Sequence, residues 1–319
     1  MPNSPSWDDF RAQLLSHQKD GLSFSEGEPL SAHTTLRIGG PARFFLRCGS
    51  TDAVAAAIRS AREAGVPWRV LGLGANVLIP DAGLAAAVLI LTDHLVSVDV
   101  DGARLRAGGG AKLAQVVRAA IDAGLAGVEC LGGIPSTLGG ALAMNAGAYG
   151  QEILEVLSWA QVVEEDGTPR RLERWEIHGG YRWSVLGEGR IVTLAELALR
   201  AEEPESLKAR MQQVREKRRG VLPPEPSAGS VFRNPPGDFA GRLLELAGCK
   251  GLSCEGAQVS SRHANVIINA GGATAEGVRS LVTQMAGRVR ERFGVRLELE
   301  LKILDSEGCV AADPDAPLA

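Results

Sequence analysis

Two runs of alternating apolar residues double back at Asp-Gly dipeptides. VSVDVDGARLRAG turns at Asp101-Gly102 and AQVVEEDGTPRRL at Asp166-Gly167, with a helical stretch, KLAQVVRAAIDAG, between them. Asp-Gly accepts left-handed backbone at little cost and so favours type I′ hairpins. Hairpins make antiparallel neighbours, whereas an alternating parallel sheet would need a helix in every strand connection. The pattern therefore predicts an α+β fold. Further helices are expected over Trp7–His17, in TDAVAAAIRSAREAG with Asp52 near its N-cap and Gly65 as its stop, and in the polar run ESLKARMQQVREKRRG. Beyond the proline cluster VLPPEP come GRLLELAG as helix, ANVIIN as strand and ATAEGVRSLVTQMAGRVRERFG as a helix closed by Gly294. VRLELELKIL closes the pattern as a strict alternator, with Val295, Leu297, Leu299, Leu301 and Ile303 on one face and Arg296, Glu298, Glu300 and Lys302 on the other.

These signals place a lead-in at residues 1–29, the start of the fold proper near Leu30, and a domain boundary within 204–226. The last fifteen residues, 305–319, hold four acids and two prolines and read as a disordered tail. At 319 residues and 45% hydrophobic content the chain can bury more than one core. A net charge of −4 with dispersed basic residues argues against a nucleic-acid partner. The five cysteines form no CxxC pair and no metal ligand set is visible. No secretory leader and no 18-residue apolar window occurs, so a cytoplasmic location without a membrane partner is expected.

Two glycine-rich runs compete as phosphate cradles, LGLGANVLIPD at 71–81 and LGGIPSTLGGALAMNAGAYG at 131–150. A dinucleotide fingerprint would need a third glycine at position 77, which is Val77, and a helix where LIPD stands. A P-loop would need a lysine after Gly140, which Ala141 follows. What remains is a pair of loops whose exposed N–H groups form nests for a diphosphate, or glycines that merely serve tight turns and close packing.

The segments HTTLRIGGPA (33–42), LGLGANVLIPD (71–81), GGIPSTLGGALAMNAGAYGQE (132–152), YRWS (181–184), PSAGSVFRNP (226–235), SSRHANVIINAGGATA (260–275) and FGVRLELELKI (293–303) occur together and in order. In this the chain resembles the UDP-N-acetylenolpyruvoylglucosamine reductases, the UDP-N-acetylmuramate dehydrogenases of peptidoglycan precursor synthesis. The resemblance covers about residues 30–304. It implies a two-subdomain FAD-binding fold of the vanillyl-alcohol-oxidase (PCMH) type over 30–203, divided at about 92/93. A C-terminal α+β substrate-binding domain would span 204–304, with the strand near 295–303 returning toward the active site. It also implies non-covalent FAD, NADPH as hydride donor, and a nucleotide-sugar substrate that shares one site with NADPH in turn; a monomer is expected.

Adding hydride to an enolpyruvyl ether builds negative charge on the carboxylate side, which a cation or donor must hold while an acid protonates Cα. The resemblance maps these roles onto Arg182 and Glu300, which polarise the substrate carboxylate, and Ser230, the proton donor. Alternation alone does not choose between Glu298 and Glu300; the family motif does. For FAD the implied positions are Gly72, Gly74, Ala75, Asn76, Val77 and Leu78 in the first loop. In the second they are Gly133, Ile134, Pro135, Ser136, Gly139 and Gly140, followed by Asn145, Ala146 and Gly147, with Arg37 as a further contact. Tyr149, Arg182, Arg233 and Asn234 are implied for the substrate. The cations Lys217, Arg218 and Arg219 either lie near its diphosphate or form a solvated helix end.

The chain departs from the family pattern at Ala75, usually Ser, at Ser136, usually Gly, and at Val221-Leu222, usually Gln-Pro. Its tyrosines are Tyr149 and Tyr181, and none falls within 183–229, so it resembles the subtype lacking a tyrosine-bearing loop over the substrate. Two other readings are an FAD-linked oxidase of the same superfamily and a diverged paralogue that binds flavin or nucleotide sugar without turnover.

Overall fold

A computed structural model describes residues 5–17 and 21–310. The chain opens with α1 (Trp7–Ser16), whose Phe10 and Leu14 recur one turn apart and are fully buried. Strands β1 (Leu22–Pro29), β2 (Pro41–Cys48), β3 (Trp68–Val70) and β5 (Leu84–Leu91) form a sheet ordered β1-β2-β5-β3, while the short β4 (Val77–Leu78) pairs elsewhere. Helix α2 (Thr51–Glu63) begins where the Ser50 side chain accepts the Ala53 N–H, with Asp52 in its first turn, near the cap as expected. β1 belongs to this sheet, so the fold begins before Leu30: residues 22–29 are a paired strand and not part of a lead-in.

A second sheet is antiparallel throughout, ordered Pro169–Glu173, Leu157–Val163, Ile191–Ala198, β7 (Arg104–Gly108), β6 (Val98–Asp101). Its turns differ from the expected type I′ pair. Asp101 pairs with Arg104, so the two-residue loop is Gly102-Ala103 with only Gly102 left-handed. The second connection widens to residues 164–168, where Asp166 Oδ1 accepts the Thr168 N–H. Helices α3 (Leu113–Asp122) and α4 (Leu138–Ala143) pack on this sheet through Leu113, Val116, Val117, Leu138 and Leu142.

After α5 (Pro204–Val221) a third sheet runs Ser227–Ser230, Val266–Asn269, Ala257–Val259, Ser253–Cys254, covered by α6 (Ala240–Leu246) and α7 (Ala275–Phe293). α7 starts where Thr274 accepts the Gly277 N–H and the Asp81 carboxylate accepts that of Ala275. It stops at left-handed Gly294. Its buried stripe of Val278, Leu281, Val282, Met285 and Val289 contributes about 1.5–3 kcal/mol per large side chain.

The alternation through 295–303 is real in burial but only its end is a ladder. Leu297, Leu301 and Ile303 are buried and Glu298 is exposed, yet only Lys302–Ile303 pairs, in parallel with β4. Among the described residues the preceding stretch makes one β-bridge, Leu299 to Phe232, together with backbone hydrogen bonds from Arg233 N–H to Glu298 O and from Glu300 and Leu301 to Val231 O. Residues 305–310 of the expected tail instead form a turn in which Asp305 Oδ1 accepts the N–H groups of Glu307 and Cys309; residues 311–319 lie outside the described residues.

Contacts divide the chain into two units. One takes in the residues up to Ser25, Phe44–Gly72 and Ala87–Arg218; the other takes in Glu26–Arg43, Leu73–Ala86 and the residues from Arg219 on. The first holds two cores, one of α1 and α2 with Phe44, Leu46 and Leu89, and one of α3 and α4 on the antiparallel sheet. The second core joins Leu36, Ile38 and Leu78 to Val231, Phe232, Ile303 and the buried face of α7.

Candidate active site

Helices and strands spend their N–H groups on their own ladders, so a run of unspent ones marks a place for an anion. Gly72, Leu73, Gly74, Ala75 and Asn76 are such a run: among the described residues none of their N–H groups has an acceptor. The loop is held open from one side by its carbonyl groups, since Gly74 O accepts the Thr35 N–H at 3.2 Å and Asn76 O that of Lys302 at 3.1 Å. Gly74 is left-handed, and a Cβ there would stand 2.3 Å from His33 O, so glycine is required. This cradle fits the diphosphate of a dinucleotide cofactor. Leu78, expected with it, turns its side chain into the second unit's core and its carbonyl to Leu304 N.

The second glycine run is more committed to the protein. Leu138 N–H goes to Ala111 O, Gly139 N–H to Gly109 O, and Gly140 N–H to the Thr137 hydroxyl that caps α4. Gly132 and Gly133 keep their N–H groups free among the described residues. The two runs meet inside the first unit, where a Cβ on Gly72 would lie 2.8 Å from Thr137 Oγ1. Ser136 replaces a glycine without strain, because its φ is not positive and its hydroxyl donates to Thr137 O at 2.9 Å. Asn145, expected at the cofactor, is instead buried and fully engaged. Its Nδ2 donates to Glu152 Oε2 at 2.7 Å and Gly180 O at 3.1 Å, and its Oδ1 accepts the Leu154 N–H. Ala146 is buried and Gly147 pairs with Glu152, so the tail of the run is a scaffold.

That scaffold carries Arg182. Gly179 pairs with Ser184 and Gly180 with Trp183, leaving Tyr181-Arg182 as a two-residue loop whose base Asn145 holds at Gly180. Arg182 has φ 62 and lies over the Tyr181 ring at 4.9 Å. Also in the first unit, exposed Tyr149 (φ 52) faces Lys217, whose Nζ stands 5.9 Å from its ring centre. Arg218, half-buried and pressed on Gly133, has no hydrogen bond or ion pair among the described residues. Burial lowers its pKa, Tyr149 acting against this and the charge of Arg182 adding to it.

In the second unit Ser230 ends a strand, and the chain then leaves the sheet. Val231 O accepts the N–H groups of both Glu300 (2.8 Å) and Leu301 (3.1 Å), which sets Ser230 and Glu300 on adjoining backbone. Asn76 adds its Nδ2 to Glu300 O at 3.0 Å. Arg233 follows, its N–H on Glu298 O, and Asn234 accepts the Ala240 N–H at the start of α6. Arg37 is exposed at the tip of a turn that Thr34 O closes, with φ 58.

Two residues escaped the sequence reading because nothing distinguishes a positioning amide or hydroxyl from a surface one. Asn265 is buried and brackets Phe232, accepting its N–H at 2.9 Å and donating to its carbonyl at 2.7 Å. Thr35 Oγ1 donates to Ser227 O at 2.7 Å. Their motifs, SSRHAN and HTTLRIGGPA, were the available signal. Among the described residues six non-glycines are left-handed, and four of them, Arg37, Asn145, Tyr149 and Arg182, were expected at the site. Such backbone costs about 1–3 kcal/mol and concentrates where function needs it.

Comparison with known proteins accounts for this arrangement. Residues 42–173 match the FAD binding domain model and 222–304 the C-terminal domain model of UDP-N-acetylenolpyruvoylglucosamine reductase. The reductase of Heliobacterium modesticaldum is 42% identical over 303 residues, 94% of this chain and 93% of its own length. Reductase 2 of Symbiobacterium thermophilum is 42% identical over 293 residues, 91% of this chain and 95% of its own. The crystal structure of the Thermus caldophilus enzyme superposes with a TM-score of 0.76 at 36% identity, covering 88% of this chain and 98% of that one. With an antiparallel α+β frame, an FAD-binding domain and these relatives along nearly its whole length, the chain belongs to the UDP-N-acetylenolpyruvoylglucosamine reductase family.

Proposed function

We propose that the chain is an FAD-dependent, NADPH-driven reductase of peptidoglycan precursor synthesis that converts UDP-N-acetylenolpyruvoylglucosamine to UDP-N-acetylmuramate, as a monomer in the cytoplasm. Among the described residues no helix is long and apolar enough to cross a membrane. The domain that binds FAD is drawn from 30–203 and the one that binds substrate from 204–304. The observation that carries the catalytic part is the junction at Val231, which sets Ser230 beside Glu300.

The N–H groups of Gly72–Asn76 would hold the cofactor diphosphate. FAD held there and reduced by NADPH would supply the hydride for the enolpyruvyl CH₂. Arg182 donates to the substrate carboxylate and stabilises the negative charge that develops there, and Glu300 takes part in polarising that carboxylate. The Ser230 hydroxyl delivers a proton to Cα, completing the lactyl ether. Tyr149, Arg233 and Asn234 orient the nucleotide sugar.

The test is anaerobic. The purified yellow protein is bleached with NADPH and then mixed with UDP-N-acetylenolpyruvoylglucosamine; rapid reoxidation by that compound is expected. Ser230→Ala should bleach normally and reoxidise about 100-fold or more slowly. Equal reoxidation by oxygen alone would favour an oxidase, and a flavin that NADPH leaves yellow would favour a non-catalytic paralogue.

A further inference from the structure

Glu129 is a buried carboxylate of the first unit to which the reaction gives no role. Its Oε2 accepts the Gly127 N–H at 2.8 Å. Its Oε1 accepts from Arg210 Nε at 3.1 Å, with Nη2 of the same arginine 3.0 Å away. Glu202 turns the arginine that way, its Oε1 accepting from Arg210 Nη1 at 2.6 Å. The turn Glu129–Leu131 is thereby tied to α5. The next residue makes a second tie, since the Cys130 N–H goes to Gln151 Oε1 at 3.0 Å.

Both ties end on elements with little hold of their own. Gln151 belongs to a hairpin of two residue pairs, Gln151 with Ala148 and Glu152 with Gly147, and its loop is Tyr149-Gly150 with both residues left-handed. So short a ladder is not stable by itself. Helix α5 buries Leu207 and Val214 and is otherwise polar, so its apolar side fixes its rotation weakly. Arg210, Val214 and Lys217 recur four and three residues apart and share one side of it. Lys217 therefore stands about 10 Å along the axis from Arg210. The contacts close a ring within the first unit: Glu129 to Arg210, along α5 to Lys217, across 5.9 Å to the Tyr149 ring, and back through Gln151 to Cys130.

We propose that Glu129, Arg210 and Gln151 are positioning residues, which clamp the Tyr149 hairpin to α5 and hold the Tyr149 ring against Lys217 as a preformed wall for the nucleotide sugar. The wall's ligand rests on the function proposed above, which places Tyr149 at the substrate; the clamp does not. A ring ordered in advance need not be ordered on binding, so the clamp acts on substrate affinity.

Two measurements on the oxidised FAD-loaded protein test this. Reductive methylation with labelled formaldehyde gives each lysine an NMR signal, and that of Lys217 is identified by its loss in Lys217→Arg. It should move when Tyr149→Leu removes the ring, and move the same way in Arg210→Met and in Gln151→Leu. Gln151→Leu leaves the Glu129–Arg210 pair intact, so it carries the test should Arg210→Met fail to fold. In calorimetric titration with UDP-N-acetylenolpyruvoylglucosamine each of these two variants should bind about tenfold more weakly, yet add less than about twofold in a Tyr149→Leu background. Equal losses in both backgrounds would reveal a merely structural role and overturn the proposal, as would a Lys217 signal that stays in place in the folded variants. A wild type that ignores the nucleotide sugar while its Lys217 signal responds as described would sink the proposed function and leave the clamp.

Discussion

Arg182 sits where a glycine would be most comfortable. Its left-handed backbone in a two-residue loop costs about 1–2 kcal/mol, and Asn145 keeps the loop from relaxing. Arg182→Gly should therefore hold thermal stability or raise it by up to about 1 kcal/mol, while slowing flavin reoxidation by substrate about 100-fold. Calorimetry and stopped-flow absorbance read the two effects separately, and a large loss of stability would show that the arginine packs as a structural residue. Thiol chemistry is equally local. Cys48 is fully buried and its pKa is pushed up to about 12 by burial, and burial raises Cys130 and Cys249 as well. Exposed Cys309 should react first with Ellman's reagent, and Cys48 only on unfolding; fast loss of all five thiols in the native protein would contradict this burial pattern. Of these residues the motif YRWS made Arg182 legible, whereas the engagement of Asn145 was not, because an asparagine after a glycine run reads alike as ligand or prop.

At the scale of elements, Asn265 replaces a rung of sheet. The strand Ser227–Ser230 pairs with Val266–Asn269 through an irregular register, and beyond it the Asn265 carboxamide, not the ladder, satisfies Phe232. Val231 keeps its N–H on Asn265 O at 2.9 Å, while its carbonyl accepts from Glu300 and Leu301. Asn265→Ala strands two buried backbone groups and should lower the unfolding free energy by about 3 kcal/mol in urea titrations. Asn265→Asp keeps the acceptor for Phe232 N–H and loses the donor, so it should fall between the two; a neutral alanine variant would remove Asn265 from this role. The hairpins, α2, α7 and the burial alternation of 295–303 were legible, because each follows from periodicity within one segment. The Gly102-Ala103 turn and the bridge at Leu299 were not, because strand register is chosen by the partner.

For the molecule as a whole, acid should act in two stages. His263 is partly buried, its Nδ1 accepts the Asn265 N–H, and burial with Lys250 nearby lowers its pKa. The unfolded chain then binds the proton more readily, so stability is lost as pH falls from about 6.5 toward the folded value. Glu196, buried between Arg104 and Arg106, has its pKa lowered by those two hydrogen-bonded arginines against the opposing effect of burial, the largest single influence. Its contribution is present above the ordinary carboxylate pKa of about 4.3 and is lost as pH falls through the lower folded value. Melting temperature against pH should show both declines, with His263→Gln removing the upper one and Glu196→Gln the lower. A single decline unaffected by His263→Gln would refute the first stage. Local periodicity and turn chemistry, which act between residues a few positions apart, determined by themselves that this chain is α+β, whereas Arg182, Ser230 and Glu300 were singled out by the resemblance of their motifs to the reductase family. Only the tertiary structure decided that 26–43 and 73–86 belong with the C-terminal region, which N–H groups of the glycine loops stay unpaired, and that Val231 joins Ser230 to Glu300. Those outcomes depend on which distant groups satisfy a given donor or bury a given side chain, and no pattern along the chain encodes that choice.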